Sequence, residues 1–207
     1  MSHVPNSRHE EYSRNNGFDF YPTPAPFTNV LLDFYQGSGR IHDCVWEPAC
    51  GDGSMSKAIS SKGYVVHSSN LVDQGYGSFP IDFLTAGLPE GCKSIITNGP
   101  FKLAEQFVKR AWHWMDTGKV DLFAILLPAH WFGSEERYRT IFSVRRPQQL
   151  IVISDRMSGR YNNPHYDKKG RPVLKWSSNF NHCWFIWDGN LANSGQTLMD
   201  WRISKGQ

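Results

Sequence analysis

The stretch SIITNGPFKL, residues 94–103, joins an apolar run to an amide, a turn and an aromatic ring. Asn98 brings a side-chain oxygen and Gly99 a backbone carbonyl, two acceptors able to meet one exocyclic NH₂. Holding such an amine draws its nitrogen lone pair out of ring conjugation and aims it at an electrophile. Phe101 can stack on the ring that carries the amine, and Pro100 restricts the backbone between them. Asn-Gly is also a strong turn dipeptide, and in isolation the stretch reads first as the end of a strand.

A second group is VWEPACGDGS, residues 45–54. Gly51 and Gly53 permit a tight strand-to-helix turn and close approach of a ligand to the backbone. No third glycine completes a dinucleotide fingerprint, which argues against a nicotinamide oxidoreductase. Glu47 and Asp52 beside the glycines repel a pyrophosphate and suit a cationic ligand, such as the amino acid end of S-adenosylmethionine. Further on, Asn70 ends the next apolar run, with Asp73 close behind, where a side chain would take ribose hydroxyls. In PIDFL, Asp82 can accept from an adenine amine and Phe83 can stack on its ring; as alternatives, Asp82 caps a turn and Phe83 belongs to the core.

A third group is basic. Arg156, Arg160, Lys168, Lys169, Arg171 and Lys175 stand against Asp155 and Asp167, a local excess larger than the net +3 of all 207 residues. Tyr161, His165, Tyr166 and Trp176 are interleaved. Basic side chains track phosphates and aromatic rings stack on bases; the alternative is a solvated surface excursion. Arg145 and Arg146 either add phosphate contacts or cap a helix, and His130, Trp131 and Phe132 either line a base pocket or pack its rim.

Taken in order, EPACGDG and TNGPF resemble the S-adenosylmethionine-dependent class I DNA amino-methyltransferases, the adenine-N6 type with an N-P-P-F or D-P-P-Y tetrad. With YPTPAPFTNVLL, LVDQGYGSFPIDFL and HCWFIWD, the chain is similar over most of residues 21–188 to small methyltransferases common in bacteriophage and prophage genomes. The resemblance implies a Rossmann-like fold in which Glu47, Pro48, Ala49, Gly51 and Gly53 lie at the methionine moiety. Asn70 takes the ribose position, Asp82 and Phe83 the adenine position, and Thr23 and Pro24 the segment that closes over the cofactor. Asn98, Gly99, Pro100 and Phe101 match the catalytic tetrad, and Arg156, Arg160, Tyr161, Lys168, Lys169, Arg171 and Lys175 the target-recognition segment, in the gamma-type motif order. Two positions depart from the pattern: Asn70 replaces an acid and Gly99 a proline. By itself a glycine there softens the loop by roughly 1 kcal/mol. The resemblance further implies transfer to a flipped adenine of duplex DNA. Cytosine N4, an RNA adenine or a protein glutamine present the same NH₂, and a non-catalytic cofactor- or DNA-binding descendant is the rival of a different class.

Positioning these groups requires alternating strands and helices. Strands are expected at 43–49, 64–69, 93–97, 121–129, 149–154 and 182–188, with helices at 54–63, 102–115 and 134–143. A further helix, capped by Thr23 or Thr28, ends near Gly37. The continuous apolar run DLFAILLPA suits a strand covered on both faces. The pattern predicts an α/β fold, a central mostly parallel sheet with an antiparallel last strand and helices on both faces. Residues 1–19 read as a loose arm, 20–190 as one domain carrying a 155–181 insertion, and 191–207 as a tail.

Hydrophobic residues make up 40% and charged residues 20%, enough for a packed core and against wholesale disorder. Cys44, Cys50, Cys92 and Cys183 form no C-x-x-C pair, so neither a zinc site nor a disulfide is expected, and they read as buried thiols of a reducing cytoplasm. No apolar stretch has the form of a signal peptide or a membrane span.

Overall fold

The computed structural model describes residues 22–156, 165–166, 172–173, 179–191 and 197–202. After α1 (Ala25–Phe34) come β1 (Cys44–Glu47), α2 (Ser54–Ser61), β2 (Val65–Ser68) and β3 (Ser94–Thr97). A 3₁₀ turn (Phe101–Leu103) leads into α3 (Ala104–Asp116), followed by β4 (Leu122–Pro128) and a second 3₁₀ turn (Ala129–Phe132). A short helix α4 (Glu135–Arg137) runs on as a π-helical turn over Tyr138–Phe142, before β5 (Gln149–Ile153). The two-residue strands β6 (His165–Tyr166) and β7 (Pro172–Val173) pair with each other, and β8 (His182–Asp188) and β9 (Leu198–Arg202) complete the order.

Seven strands form one sheet in the order β2-β1-β3-β4-β8-β5-β9. Strand β8 runs antiparallel to both its neighbours, while the other pairings are parallel. The expected single antiparallel strand is there, but it is not the last. The stretch read as a tail supplies β9, which pairs with β5 from Gln149↔Leu198 to Ile153↔Arg202.

Every residue of β4 and β8 is buried, which explains their unbroken apolar sequences. On one face, Phe107, Ala111 and Trp114 of α3 pack on Trp46, Ile95 and Phe123. On the other, α1 and α2 bring Phe27, Leu31, Met55 and Ile59 against Val45, Ile96, Ala124 and Trp184. The indole N–H of Trp184 donates to the Phe27 carbonyl at 2.9 Å, tying α1 to the sheet.

Two local expectations are corrected. Neither Thr23 nor Thr28 caps α1: Pro24 holds the N-cap position without a side-chain bond, and Thr28 lies buried within the helix. Cys44 and Cys92 are joined as a disulfide, whereas Cys50 and Cys183 are free and buried. A separation of 48 residues hid the pair; β1 and β3 are neighbours in the sheet, which brings Cys44 beside the turn that precedes β3.

Candidate active site

From β1 the chain moves outward to β2, then crosses back to β3 on the other side of β1. This reversal opens a crevice beyond the carboxyl ends of β1 and β3, where ligands of open α/β sheets bind. The loops after β1, β2 and β3 line it, together with Thr23 before α1. It brings together Glu47, Pro48, Ala49, Gly51, Asn70, Asp82, Phe83, Asn98, Gly99, Pro100 and Phe101.

The loop after β1 is built closely around its glycines. Gly51 and Gly53 have φ of 54° and 77°. A Cβ on Gly53 would stand 2.4 Å from the Tyr76 ring, so this position requires glycine on two counts. The Asp52 carboxylate accepts from the Ser54 N–H at 2.9 Å, a local turn just ahead of α2, whose N-cap is Gly53. Glu47 is only 2% exposed, and Ser56 Oγ donates to its carboxylate. Burial, aided by the nearby Asp52 charge and opposed by the Ser56 bond, raises its pKa from 4.5 to about 8. The carboxyl expected to face a cation is therefore protonated at neutral pH when no cation is present.

Asn70 is more than a weakened acid. Its amide Nδ2 donates to the Val72 carbonyl at 2.9 Å, a bond that a carboxylate cannot make. The charge-assisted bond to a hydroxyl is exchanged for a braced loop. Asp82 Oδ1 accepts from the Leu84 N–H at 2.9 Å, the turn-capping role. Phe83 borders the crevice but is 2% exposed, with its ring 4.5 Å from Phe107 and 5.2 Å from Trp46. It serves the core.

At the tip of β3, Asn98 Nδ2 donates to Thr23 Oγ1 at 2.9 Å. With Nδ2 turned to Thr23, Asn98 Oδ1 is buried without a partner among the described residues. A desolvated acceptor of this kind costs about 1–3 kcal/mol unless something donates to it. Thr23→Val keeps the shape and removes the acceptor for Nδ2. It should lower turnover by roughly tenfold through loss of orientation, with little change in substrate KM; steady-state kinetics check this.

Beside Asn98 lies a cluster of rings. Phe101 is 6.4 Å from Phe180 and 6.3 Å from His182, and Phe180 is 5.4 Å from His130. His182 is 3% exposed, and burial lowers its pKa from 6.5 to about 4, so it is neutral. Its Nδ1 has no partner among the described residues. Sequence reasoning missed Phe180 and His182. Because β8 runs antiparallel, its first residue lies opposite Pro128, at the carboxyl edge of β4. The signal was available in the expected reversal of HCWFIWD. Of the three rings expected after β4, only His130 joins the cluster. Trp131 packs on Phe142 and Phe185, and Phe132 is 51% exposed.

Glu47 and His182 pull stability in opposite directions. Glu47 keeps its proton in the folded chain after the unfolded chain has lost it, so stability falls as pH rises from 4.5 to about 8. His182 stays neutral while the unfolded chain takes up a proton, so stability falls as pH drops from 6.5 to about 4. Below 6.5 the slopes oppose; above it Glu47 acts alone. Thermal melts of the cofactor-free protein should decline between pH 6.5 and 8, and Glu47→Gln should abolish that decline.

The ends of the basic segment meet at the same edge. Asn181 Nδ2 donates to the carbonyls of Ile153 and Ser154 at 3.0 and 2.8 Å, pinning the start of β8 to the end of β5. Arg156 is exposed just beyond β5. Arg160, Tyr161, Lys168, Lys169, Arg171 and Lys175 lie outside the described residues. Arg145 is engaged elsewhere: it pairs with Asp116, and its carbonyl accepts from Trp187 Nε1. Trp187 pairs in register with Phe123 near the amino end of β4, so Arg145 lies at the opposite edge of the sheet.

No protein-family model and no curated protein matches the chain. Solved structures do. A protein from Pyrococcus horikoshii provisionally assigned as an RNA methyltransferase superposes with a TM-score of 0.57 at 16% identity, over 83% of this chain and 88% of its own. The methyltransferase subunit of a type I restriction-modification system from Streptococcus thermophilus gives a TM-score of 0.55 at 13% identity, over 89% of this chain and 48% of its own. The chain thus spans about half the length of that subunit. At these identities the likeness establishes the fold alone, a Rossmann-like α/β architecture shared with those two proteins.

Proposed function

We propose that the protein is an S-adenosylmethionine-dependent methyltransferase acting on the exocyclic amine of a nucleic-acid base, adenine N6 of DNA first among them. The observation that carries this reading is Asn98 Oδ1: a buried acceptor without a donor among the described residues, oriented by Thr23 and set at the crevice of the sheet. An amine N–H is the group it lacks.

The cofactor fits the residues present. Gly51 lines the crevice and leaves the β1 loop open to close approach, and Glu47 and Asp52 offer carboxyls to its ammonium. A cation beside Glu47 opposes the effect of burial and draws off its proton. Asn70 and Asp82 stand towards the ribose and base. When bound, the cofactor supplies a methyl group on a sulfonium, with a neutral thioether as leaving group.

On this reading Asn98 Oδ1 and the Gly99 carbonyl accept from the target amine and localise its lone pair on nitrogen. Held in this way by Asn98 and Gly99, the nitrogen would be the nucleophile towards the methyl group that the cofactor would supply, and its surplus N–H proton would pass to solvent. Phe101, with Phe180 and His182, offers an aromatic slot for the base. A neutral His182 suits an uncharged ring, and its Nδ1 can take a hydrogen bond. The chemistry needs no nucleophilic side chain: the free cysteine in the crevice, Cys50, has its pKa pushed up to about 12, mainly by burial.

A target amine inside a duplex is stacked and paired, so the base must leave the helix to reach this slot. The two ends of the stretch 155–181 meet at the same edge, where Asn181 Nδ2 donates to the Asp155 carbonyl, and the basic residues of its sequence supply charge for phosphates. Both solved chains described above carry names that involve nucleic acid, which favours that class over a protein glutamine.

Methyl transfer from labelled S-adenosylmethionine to unmethylated duplex DNA, with mass spectrometry of the digested nucleosides, tests the reading. N6-methyladenine is expected. N4-methylcytosine, or product on RNA alone, would keep the mechanism and change the acceptor. Cofactor binding without transfer to any of these would overturn it.

A further inference from the structure

Away from the crevice, the edge of the sheet holds a group that methyl transfer does not use. Cys44 begins β1, Cys92 precedes β3, and His67 lies on β2, the edge strand. Register sets Cys44 opposite Val65 and Trp46 opposite His67, so His67 shares a sheet face with Cys44, two positions along. The two Sγ atoms and an imidazole nitrogen all lie within 4.8 Å of one another. Cys92 is buried, Cys44 half-buried and His67 exposed, and Val65 beside it is 61% exposed. The group thus runs from a buried sulfur to an exposed imidazole. None of the three residues lines the crevice.

We propose that in the reduced chain Cys44, Cys92 and His67 bind a soft divalent cation, zinc being the model case. Two thiolates and one neutral imidazole form a donor set that zinc favours, and three protein ligands leave the fourth position for solvent. Cys44 and His67 stand on paired strands, so the backbone ladder fixes their spacing, and Cys92 lies in the turn that leads into β3. Binding releases the two thiol protons and leaves the site electrically neutral. The disulfide and the metal site exclude each other: the disulfide offers no thiolate, and the cation binds only after two electrons from a thiol or phosphine reductant have opened it. His67 distinguishes this group from a plain cystine, since a disulfide has no use for a third ligand facing water.

The test uses the full chain, reduced with a phosphine, desalted and titrated anaerobically with Co²⁺. Equimolar uptake is expected, with sulfur-to-cobalt charge-transfer absorption and visible ligand-field bands. Zinc should displace the cobalt and raise the melting temperature. Cys92→Ser should abolish the bands. His67→Ala, a change at an exposed position that should not disturb folding, should weaken cobalt binding by about tenfold or more and leave cofactor binding unchanged. Oxidised glutathione should prevent binding, and the phosphine should restore it. Absence of charge-transfer absorption in the reduced wild-type chain would overturn the proposal, as would bands unchanged in His67→Ala. A cystine that resists the phosphine would overturn it too, marking a permanent covalent staple.

Discussion

Asn98→Ala should reduce methyl transfer by about 10²-fold or more while leaving cofactor affinity close to wild type. The asymmetry follows from the two halves of the amide. Its Nδ2 is occupied inside the protein by Thr23, and its Oδ1 is left without a donor among the described residues. In the free protein that oxygen is a cost; with an amine in place it becomes paired, so the bond matters most where the reacting nitrogen is held. Truncation removes a desolvated orphan from the resting protein, and the variant should melt no earlier than about 1 kcal/mol below wild type. Asn98→Asp separates acceptor from orientation. It keeps an oxygen for the amine and exchanges the Nδ2–Thr23 bond for one that Thr23 Oγ1 must donate, so its turnover should fall between wild type and Ala. Single-turnover rates with calorimetric cofactor affinities decide the matter. An Ala variant that transfers normally would remove Asn98 from the chemistry.

Much of this site was legible in the sequence because its parts are local. Asn98, Gly99, Pro100 and Phe101 are consecutive, and Gly51 and Gly53 sit on one turn. The strand runs that carry them have strong patterns, and β4 and β8 are buried throughout. What escaped depends on distant partners. Phe180 and His182 reach the site only because β8 runs backwards between β4 and β5. The Cys44–Cys92 pair depends on the adjacency of β1 and β3. β9 is a short strand whose pairing with β5 has no local signature. Asp82 and Phe83 were open between ligand and structural roles, and both proved to be engaged within the protein. Asp82 Oδ1 accepts from the Leu84 N–H while the residue still lines the crevice, so capping the turn occupies one of its two oxygens.

The two departures from the family pattern have local explanations, and Gly99 gives the sharper expectation. A softened loop was the cost expected of glycine at a proline position, and on that view restoring proline should help. Packing says otherwise. A Cβ at Gly99 would stand 2.7 Å from one Phe107 ring carbon and 2.9 Å from another. That ring is buried and held 4.5 Å from Phe83, which is itself wedged against Trp46 and Trp114, so it has little room to retreat. Both Gly99→Ala and Gly99→Pro should therefore lower stability by about 1–3 kcal/mol, the usual cost of overpacking a filled core. Each should slow transfer as well, because a displaced Gly99 carries Asn98 with it and small misplacements at a reacting centre cost rate steeply. Phe107→Leu alone should destabilise by leaving a cavity. Combined with Gly99→Ala, it makes room for the new methyl, so the double variant should be more stable than the sum of the singles predicts. Denaturant melts of the four proteins give the coupling energy, expected at about 1 kcal/mol or more for side chains in direct contact. A gain in rate on Gly99→Pro would mark the glycine as decay. A loss relieved by Phe107→Leu would show glycine and phenylalanine fitted to each other, with the backbone carbonyl at 99 kept in place by the fit.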